Sequence, residues 1–352
     1  IAIIQFTDCL ILRNHQIVKA DLVVQNGKIL DPQKLFFNSK RKADIVISCN
    51  EAIIAPGFID LQINGGFGVD FAHDTESTEE CVSKVAKGIL AHGVTVCLQG
   101  ATVLGAHIEG PFINIKKKGA FTMIHLKCIF IIFQKMYGSL ENVRIVTLAP
   151  ELENSGSVIE KFVSEKIVVS LGHSMADYEI GELAMKRGAT LITHLFNAMQ
   201  PESRFSRLAK AGRPIFYGII SDGVHTHPSA LRIAHCTHPE GLVLVTDAVS
   251  AMGLEEGEHH IGEKCIAIRG KEATIAGCSL EEALEAATLH PAQVLGIDRT
   301  KGTLNFGADA DFIILHRRVC SFIRHGLMAV AEVGFKNAHK AMMSAAFFCF
   351  TG

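Results

Sequence analysis

Seven polar side chains in this sequence stand at or just beyond the ends of short apolar runs. They are Gln62, Asn64, Glu109, His173, His194, His225 and Asp247. Two neutral imidazoles and one carboxylate that meet at one point leave a fourth coordination position open, which is typical of a catalytic zinc site. Such an ion lowers the pKa of its water toward about 7. A carboxylate outside the ligand set, for which Asp247 is the candidate, can accept a proton and later pass it to a leaving nitrogen. The residue types therefore predict metal-assisted hydrolysis.

Each of these residues also has a plainer interpretation. A single histidine at a strand end is more often a surface or capping group than a metal ligand. Glu109 could be a solvated acid at the end of a strand, and Asp247 could cap a following helix. Gln62 and Asn64 could belong to a turn. The hypothesis of a metal site therefore depends on the elements that bring these side chains together.

Eight short apolar runs carry these residues, and each run ends in a polar or glycine-containing turn. The runs cover residues 55–64, 94–100, 103–110, 144–151, 168–174, 189–197, 214–225 and 242–248. Most are separated by segments with a helical pattern, and alternation of this kind predicts a parallel sheet buried on both faces. Eight units predict an α/β fold of the (β/α)8 TIM-barrel type, with its active site at the carboxyl ends of the strands. The second and third runs are too close for a helical crossover, so either they are not neighbouring parallel strands or the barrel lacks an outer helix there.

The two ends of the chain predict a second, smaller unit. Residues 1–54 alternate short β-like runs with turns, and the Asn-Gly step in 25–28 favours a type I′ hairpin. The run 279–297 predicts a helix with Ser279 as its cap, Glu282 in the capping box, and an interruption by Pro291 near its end. Residues 301–315 then return to a strand pattern. We therefore expect a small β-sandwich domain from 1–54 and 300–352, and a hydrolase barrel from 55–299.

The overall composition narrows the class of protein. The 352 residues are 48% hydrophobic and 20% charged, with a formal net charge of −2. This balance makes nucleic acid and membrane surfaces poor partners. Ten scattered cysteines without a C-x-x-C pair favour reduced thiols and a cytoplasmic location. The longest uninterrupted apolar runs, such as 128–133, are far shorter than the roughly 20 residues of a membrane span.

An ordered set of motifs resembles the N-acetylglucosamine-6-phosphate deacetylase family of the amidohydrolase superfamily. The set is PGFIDLQINGGFGVDF (56–71), HIEGPF (107–112), SLGHS (170–174), THLFNAM (193–199), DGVHTHP (222–228) and LVTDA (244–248). The resemblance extends over roughly residues 1–315. It implies hydrolysis of the acetamide of N-acetylglucosamine 6-phosphate by metal-activated water, with glucosamine 6-phosphate and acetate as products. It also implies a homodimer and a place in amino-sugar catabolism.

The resemblance assigns a role to each residue of the site. Glu109, His173 and His194 would hold one divalent metal ion, with zinc the first choice among zinc, iron, manganese and cobalt. Gln62 and Asn64 replace the His-x-His of many two-metal relatives, which favours a single ion, and they would contribute to the substrate site. Asp247 takes the position of the general base and acid. The remaining substrate-binding residues would be His225, which orients the substrate, and Asn197 with Ala198, which lie near the sugar phosphate.

The sequence also departs from the family pattern. The run 119–121 reads Gly-Ala-Phe where relatives have a histidine, and the arginine expected to reach the phosphate has only Arg204 or Arg207 as candidates. Two alternatives therefore stay open at this point. One is an inactive or regulatory barrel paralogue. The other is a cyclic-amidase type of amidohydrolase, which usually needs a lysine on the fourth strand.

Overall fold

The computed structural model describes most of the chain in nine stretches. They are residues 2–39, 41–72, 77–97, 102–119, 138–199, 215–254, 257–261, 264–268 and 278–315. The sequence predictions for Ala120, Phe121, Arg204, Arg207 and the segment 316–352 lie outside these described residues.

The described strands are numbered in chain order. They are β1 (Ile4–Thr7), β2 (Leu10–Arg13), β3 (Gln16–Lys19), β4 (Leu22–Gln25), β5 (Lys28–Leu30), β6 (Ile45–Ser48), β7 (Ile53–Pro56), β8 (Phe58–Asp60), β9 (Gly65–Gly66), β10 (Val69–Asp70), β11 (Val94–Cys97), β12 (Thr102–Val103), β13 (Ala106–Glu109), β14 (Val143–Leu148), β15 (Val168–Leu171), β16 (Leu191–Ile192), β17 (Phe216–Ile220), β18 (Leu242–Val245), β19 (Gly257–Ile261), β20 (Lys264–Ile268) and β21 (Phe312–Leu315).

The described α-helices are α1 (Pro32–Lys34), α2 (Thr78–Leu90), α3 (Ser155–Ser164), α4 (Tyr178–Lys186), α5 (Pro228–Thr237), α6 (Leu280–Ala287) and α7 (Leu289–Val294). Shorter turns are the π-helical Leu35–Ser39 and the 3₁₀ segments Ile115–Lys117 and Pro239–Gly241. None of the helices in the described part of the chain combines the length and the hydropathy that a bilayer crossing needs.

The small β unit is a sandwich of two four-stranded sheets. Their strand orders are β5-β4-β1-β6 and β21-β7-β2-β3. The expected hairpin is confirmed, because β4 and β5 pair antiparallel while Asn26 and Gly27 take φ values of 53° and 69°, as a type I′ turn requires. The strand after residue 301 also returns as expected, since β21 pairs antiparallel with β7. The two sheets therefore share one core, which includes Phe6, Ile54 and Ile314.

The barrel is built from all eight predicted runs. Six strands form a parallel sheet in the order β13-β14-β15-β16-β17-β18, and β8 pairs in parallel with β11. The first and last strands are joined beyond their carboxyl ends, where the amide of Asp247 donates to the carbonyl of Gln62 at 2.9 Å and the amide of Asn64 to that of Ala248 at 2.7 Å. The first barrel strand begins at Phe58, because residues 53–56 belong to β7 in the sandwich.

The third predicted run is split between two neighbours. Its first part, β12, pairs with β11, and its second part, β13, pairs with β14. Between them the chain bends at Leu104 and Gly105, where Gly105 has a φ of 150°. Only residues 98–101 separate β11 from β12. This connection is too short for a crossover helix, and β11 and β12 are parallel neighbours, so of the two alternatives the loss of an outer helix applies.

Alternation along the strands separates the barrel interior from its outer layer. In β14, Val146 and Leu148 pack outward with Phe162 of α3, while Ile145 belongs to a separate interior cluster. Because side chains alternate across a strand, Thr147 points to the same interior as Ile145. The layer above the apolar interior is therefore polar, and it lies directly below the strand ends that carry the candidate site.

The helix predicted over 279–297 is two helices. Ser279 accepts from the backbone of Glu282 and the Glu282 side chain accepts from Ser279, so the expected capping box is confirmed. The break falls at Thr288, where φ is −132°, and not at Pro291. Proline has no N–H to donate to the carbonyl four residues earlier, so the helical hydrogen bonds end before the proline, and a second helix begins at Leu289.

Candidate metal centre and active site

Three predicted ligands meet at the mouth of the barrel. Glu109 is the last residue of β13, and His173 and His194 each follow their strands by two residues. A Glu109 carboxylate oxygen lies 3.0 Å from Nε2 of His173 and 2.9 Å from Nε2 of His194, and the two Nε2 atoms are 3.0 Å apart. Their side chains are 5–7% exposed. Glu109 is therefore a buried member of a three-residue cluster and not a solvated acid.

The hydrogen bonds of this cluster fit a bound cation. Nδ1–H of His173 donates to the carbonyl oxygen of Lys117 at 2.7 Å, so Nε2 is the ring nitrogen directed at the other two ligands. Nδ1 of His194 is buried and has no partner among the described residues. Three ligand atoms lie within 4.8 Å of one another. Two imidazole nitrogens and a carboxylate oxygen are the donor set of a catalytic zinc-type site, and the residues present fit such an ion.

Electrostatics favour the charged carboxylate in this cluster. Burial alone would raise the pKa of Glu109, but its hydrogen bonds with His173 and His194 outweigh burial and lower the pKa. Burial would lower the pKa of His194, and the hydrogen bond and charge of Glu109 raise it instead. The cluster therefore holds a carboxylate that stays ionised and attracts positive charge at its position.

Two amide side chains donate to the carboxylates of Glu109 and Asp247, and that of Gln62 joins the two. Nε2 of Gln62 donates to Glu109 at 3.0 Å and to Asp247 at 3.1 Å. Nδ2 of Asn64 donates to the same Asp247 oxygen at 2.8 Å. Gln62 and Asn64 therefore use their side chains to bind the two carboxylates of the site, in addition to any role in the turn that follows β8.

Asp247 is a poorly solvated carboxylate beside the cluster. Burial and the nearby charge of Glu109 raise its pKa to about 6. The backbone of Asp247 is held by the carbonyl of Gln62, and its side chain accepts from Gln62 and Asn64, so it does not serve as a helix cap. A carboxylate with this pKa is ionised at neutral pH and can still be protonated during a reaction, which suits a general base that later acts as an acid.

Several residues of the site take a backbone conformation that L-residues rarely adopt. The φ values of His173, His194, Ala198 and Asp247 are 49°, 27°, 49° and 48°. Positive φ in non-glycine residues is costly and persists only where surrounding contacts hold it, and such residues concentrate at functional sites. The strain therefore marks the same strand ends that the ligand geometry marks.

His225 lies in a different local setting from the metal cluster. Its side chain is 57% exposed, and Nδ1 donates to Asp222 at 2.5 Å. Asp222 also accepts from the backbone amides of Val224 and His225. In the described part of the chain, the structure brings His225 into hydrogen bonding with Asp222 and not with Glu109, His194 or Asp247.

Asn197 and Ala198 lie on the loop that follows His194. The amide of Asn197 donates to the carbonyl of His194 at 2.9 Å, and its side chain donates to the hydroxyl of Thr226 at 3.3 Å. The carbonyl of Ala198 accepts from the amide of Ser174 at 3.2 Å. This loop therefore connects the ends of three strands, and it is close in sequence and in space to the metal cluster.

A buried polar chain below the cluster was not predicted. His107 donates from Nδ1 to the carbonyl of Leu61 at 2.9 Å, and its Nε2 accepts from Thr147 at 2.8 Å. Thr147 and Ser170 both reach the hydroxyl of Thr193, at 2.7 and 2.5 Å. One signal could have identified His107, since it lies two residues before Glu109 on one strand and so shares its face. The hydroxyl partners have no comparable signal.

A second buried carboxylate, Asp60, was also missed. It accepts from the backbone amide of Gln62 at 3.2 Å and from the amide and hydroxyl of Thr246 at 3.3 and 2.5 Å. Burial raises its pKa to about 6. Asp60 therefore holds the end of the first barrel strand against the end of the last one, next to Asp247.

Comparison with known proteins identifies the family of this chain. The profile of the Amidohydrolase family matches residues 53–344. The N-acetylglucosamine-6-phosphate deacetylase of Bos taurus is 47% identical over 374 aligned residues, covering 89% of this chain and 91% of the bovine protein.

Two solved structures show the same fold at lower sequence identity. N-acetylglucosamine-6-phosphate deacetylase from Pasteurella multocida has a TM-score of 0.75 at 24% identity, covering 88% of this chain and 94% of the other. A variant of the Mycobacterium smegmatis deacetylase, in complex with N-acetyl-D-glucosamine-6-phosphate, has a TM-score of 0.72 at 24% identity over 90% and 95% of the two chains. These likenesses establish the barrel with its attached β unit, and the identity to the bovine protein establishes the family. The chain is a member of the amidohydrolase family, within its group of N-acetylglucosamine-6-phosphate deacetylases.

Proposed function

We propose that this chain hydrolyses the acetamide of N-acetylglucosamine 6-phosphate. Water adds across the C–N bond, and the products are glucosamine 6-phosphate and acetate. One observation carries the proposal. Three ligand atoms of Glu109, His173 and His194 lie about 3 Å apart and next to Asp247, in a chain 47% identical to a deacetylase of that name. The proposed place of the reaction is amino-sugar catabolism.

We assign Glu109, His173 and His194 as ligands of one divalent ion and propose zinc, because two imidazoles and one carboxylate suit it. When bound, the ion supplies Lewis acidity, which polarises a carbonyl and lowers the pKa of water. The amide of Gln62 supports a single ion, since its N–H group lies between the carboxylates of Glu109 and Asp247. An amide donor at that place already neutralises part of the negative charge that a second cation would otherwise balance.

Asp247 is assigned as the proton carrier. Its carboxylate accepts a proton from the attacking water and then gives that proton to the amine as the C–N bond breaks. The hydrogen bonds from Gln62 and Asn64 both reach one oxygen, so the second oxygen is left for this transfer. A pKa of about 6 lets the group carry out both halves of the cycle near neutral pH.

The substrate contacts are assigned to the loops after the strands. We propose that His225, whose ring is held by the hydrogen bond between Nδ1 and Asp222, orients the acetamide of the substrate. Asn197 and Ala198 are assigned to the sugar-phosphate end, and Gln62 with Asn64 to the floor of the site. The cyclic-amidase alternative lacks support, because β14 reads VRIVTL and carries no lysine.

The same family likeness supports proposals for the oligomeric state, the cellular location and the domain boundaries. We propose that the chain acts as a homodimer in the cytoplasm, with a small β domain of residues 1–54 and 300–352 and a barrel of 55–299. Light scattering of the purified protein tests the dimer. Limited proteolysis tests the two boundaries.

An activity assay separates this function from an inactive paralogue. Purified protein is incubated with zinc and N-acetylglucosamine 6-phosphate, and released amine and acetate are measured with and without chelator. We expect equal amounts of both products and loss of the reaction with chelator. N-acetylglucosamine without phosphate and N-acetylgalactosamine 6-phosphate serve as matched substrates for the phosphate and the sugar. A folded, zinc-loaded sample that releases neither product excludes the proposed function.

A further inference from the structure

Glu151 joins three loops around the metal cluster. It follows β14 by three residues, and its two carboxylate oxygens accept three hydrogen bonds. One oxygen accepts from the side-chain amide of Asn114 at 2.9 Å and from the backbone amide of Met175 at 2.6 Å, and the other accepts from the hydroxyl of Ser174 at 2.7 Å. Glu151 thus connects the loops that follow β13, β14 and β15.

These contacts surround His173 on both sides. Ser174 and Met175 are the two residues directly after it. On the other side, the backbone amide of Asn114 donates to the carbonyl of His173 at 2.8 Å, and the carbonyl of Lys117 accepts from its ring at 2.7 Å. Asn114 and Lys117, which hydrogen-bond the backbone and the ring of His173, therefore belong to the loop after β13, and Glu151 binds that loop through Asn114.

His173 needs this support because its own backbone is strained. Its φ of 49° lies in the left-handed region, which a histidine adopts only when neighbouring contacts impose it. The direction of its Cα–Cβ bond, and hence of its Nε2 lone pair, depends on that φ. If the anchor of the following residues is lost, the local backbone can relax toward a common conformation and turn the ring away from Glu109.

The site requires a carboxylate at position 151. Asn114, Ser174 and Met175 all present donors, and an ionised carboxylate accepts at both oxygens and donates nothing. A glutamine of the same shape offers one acceptor oxygen and an NH₂ group. If the NH₂ group faces Asn114 and Met175, it meets two N–H donors. If it faces Ser174, that hydroxyl must accept where it now donates, and all three contacts lose the charge of the carboxylate, so either orientation weakens the junction without a change in side-chain volume.

We propose that Glu151 is a positioning residue for His173, which acts through the loops after β13 and β15 to keep the imidazole aimed at the metal site. The inference rests on the proposed function only in that Glu109, His173 and His194 bind a metal ion. It does not depend on the identity of the substrate.

Zinc affinity in the absence of substrate tests this role. The full chain is prepared metal-free as wild type, Glu151→Gln and the control Glu153→Gln, which changes an exposed glutamate two residues further along the same loop. Zinc dissociation constants are measured by competition with a chelating dye, and the melting temperature of each metal-free protein is recorded. Loss of a residue that supports a metal ligand typically weakens binding by about 10–100-fold. We expect that range for Glu151→Gln and less than about twofold for Glu153→Gln.

Two further measurements separate positioning from general stability. The deacetylation rate of Glu151→Gln is expected to recover with excess free zinc, because the ligands themselves are intact. Ser174→Ala removes one of the three donors, and its effect on zinc binding should be smaller. Its combination with Glu151→Gln should add less than the sum of the two single effects, because both act on one junction.

The outcomes are distinct. If folded Glu151→Gln binds zinc as tightly as wild type, the inference is wrong, and a lower melting temperature without weaker binding shows that Glu151 has a structural role only. If Glu151→Gln does not fold, the zinc dissociation constant of Ser174→Ala is compared with that of Glu153→Gln. Weaker binding by Ser174→Ala supports the inference, and equal binding contradicts it. Failure of the wild-type protein to bind zinc overturns the proposed metal site as well, whereas zinc binding without deacetylation overturns the proposed substrate alone.

Discussion

Replacing Asp247 with asparagine separates proton transfer from metal binding. Both hydrogen bonds to this side chain, from Asn64 at 2.8 Å and from Gln62 at 3.1 Å, reach the same oxygen. An asparagine that places its carbonyl oxygen there keeps both bonds. The change removes the negative charge and the second, basic oxygen. We therefore expect Asp247→Asn to keep the metal and lose turnover.

The substitution is expected to change both kcat and the free energy of unfolding. Loss of a general acid–base group lowers kcat by about 100- to 10,000-fold. The pKa of Asp247 is raised from 3.8 to about 6, chiefly by burial, which corresponds to about 3 kcal/mol against the ionised form in the folded state. For a raised carboxyl pKa, this destabilisation is absent below pH 3.8, grows as pH rises toward 6 and is complete above 6. Asparagine removes it, so the metal-free variant should be more stable than wild type at pH 7 by up to about 3 kcal/mol.

Three measurements check this reasoning on one pair of proteins. They are kcat of the zinc-loaded enzyme, the zinc dissociation constant, and urea unfolding in chelator at pH 7 and pH 4. The stability difference between variant and wild type should be large at pH 7 and small at pH 4. A variant that cannot bind zinc would place Asp247 among the ligands. A variant with kcat within tenfold of wild type would remove it from proton transfer.

The remaining predictions concern pH, the metal and the exposed histidine. Since Asp247 must be ionised to accept a proton, kcat/KM of the zinc-loaded enzyme should fall about tenfold per pH unit below the pKa of Asp247, which is about 6 without the ion and is lowered by a bound cation. An acid limb that persists unchanged in the residual activity of Asp247→Asn contradicts this role. Glu109→Gln removes the only negative charge among the three proposed ligands, so zinc binding by dye competition should weaken by more than about 100-fold, beyond the usual effect of an outer residue. Asp222→Asn weakens the hydrogen bond that orients His225, so we expect kcat to fall about 10–100-fold with zinc affinity unchanged, and a parallel loss of zinc would show a wider structural effect.

Much of the barrel and its site could be predicted because the relevant signals are local. Each barrel strand is a short apolar run, and Glu109, His173 and His194 all stand within two residues of a strand end. The I′ turn at Asn26 and Gly27 follows from residues that tolerate positive φ. Such features depend on near neighbours in the chain, so a single sequence contains them.

Other features depend on contacts between distant segments and carry no local signal. The sequence pattern placed Ala55 and Pro56 in the first barrel run, and only the pairing of β7 with β21 assigns them to the sandwich. The sequence also placed the helix interruption at Pro291, whereas the break lies at Thr288. The reason is that proline has no N–H to donate to the carbonyl four residues earlier, so the helical hydrogen bonds are lost before the proline itself. Pairing partners and helical ladders are set by the folded chain as a whole.

The sequence by itself determined which chemical groups are available and at which strand ends they stand, because residue type and hydrophobic period are properties of neighbouring residues. Only the tertiary structure decided how these groups are aimed. The carbonyl of Lys117 selects the tautomer of His173, the amide of Gln62 joins Glu109 to Asp247, and the carboxylate of Glu151 ties three loops together. Each of these contacts joins atoms from different strand ends, so it exists only once the parallel strands lie side by side and bring their carboxyl ends to one mouth.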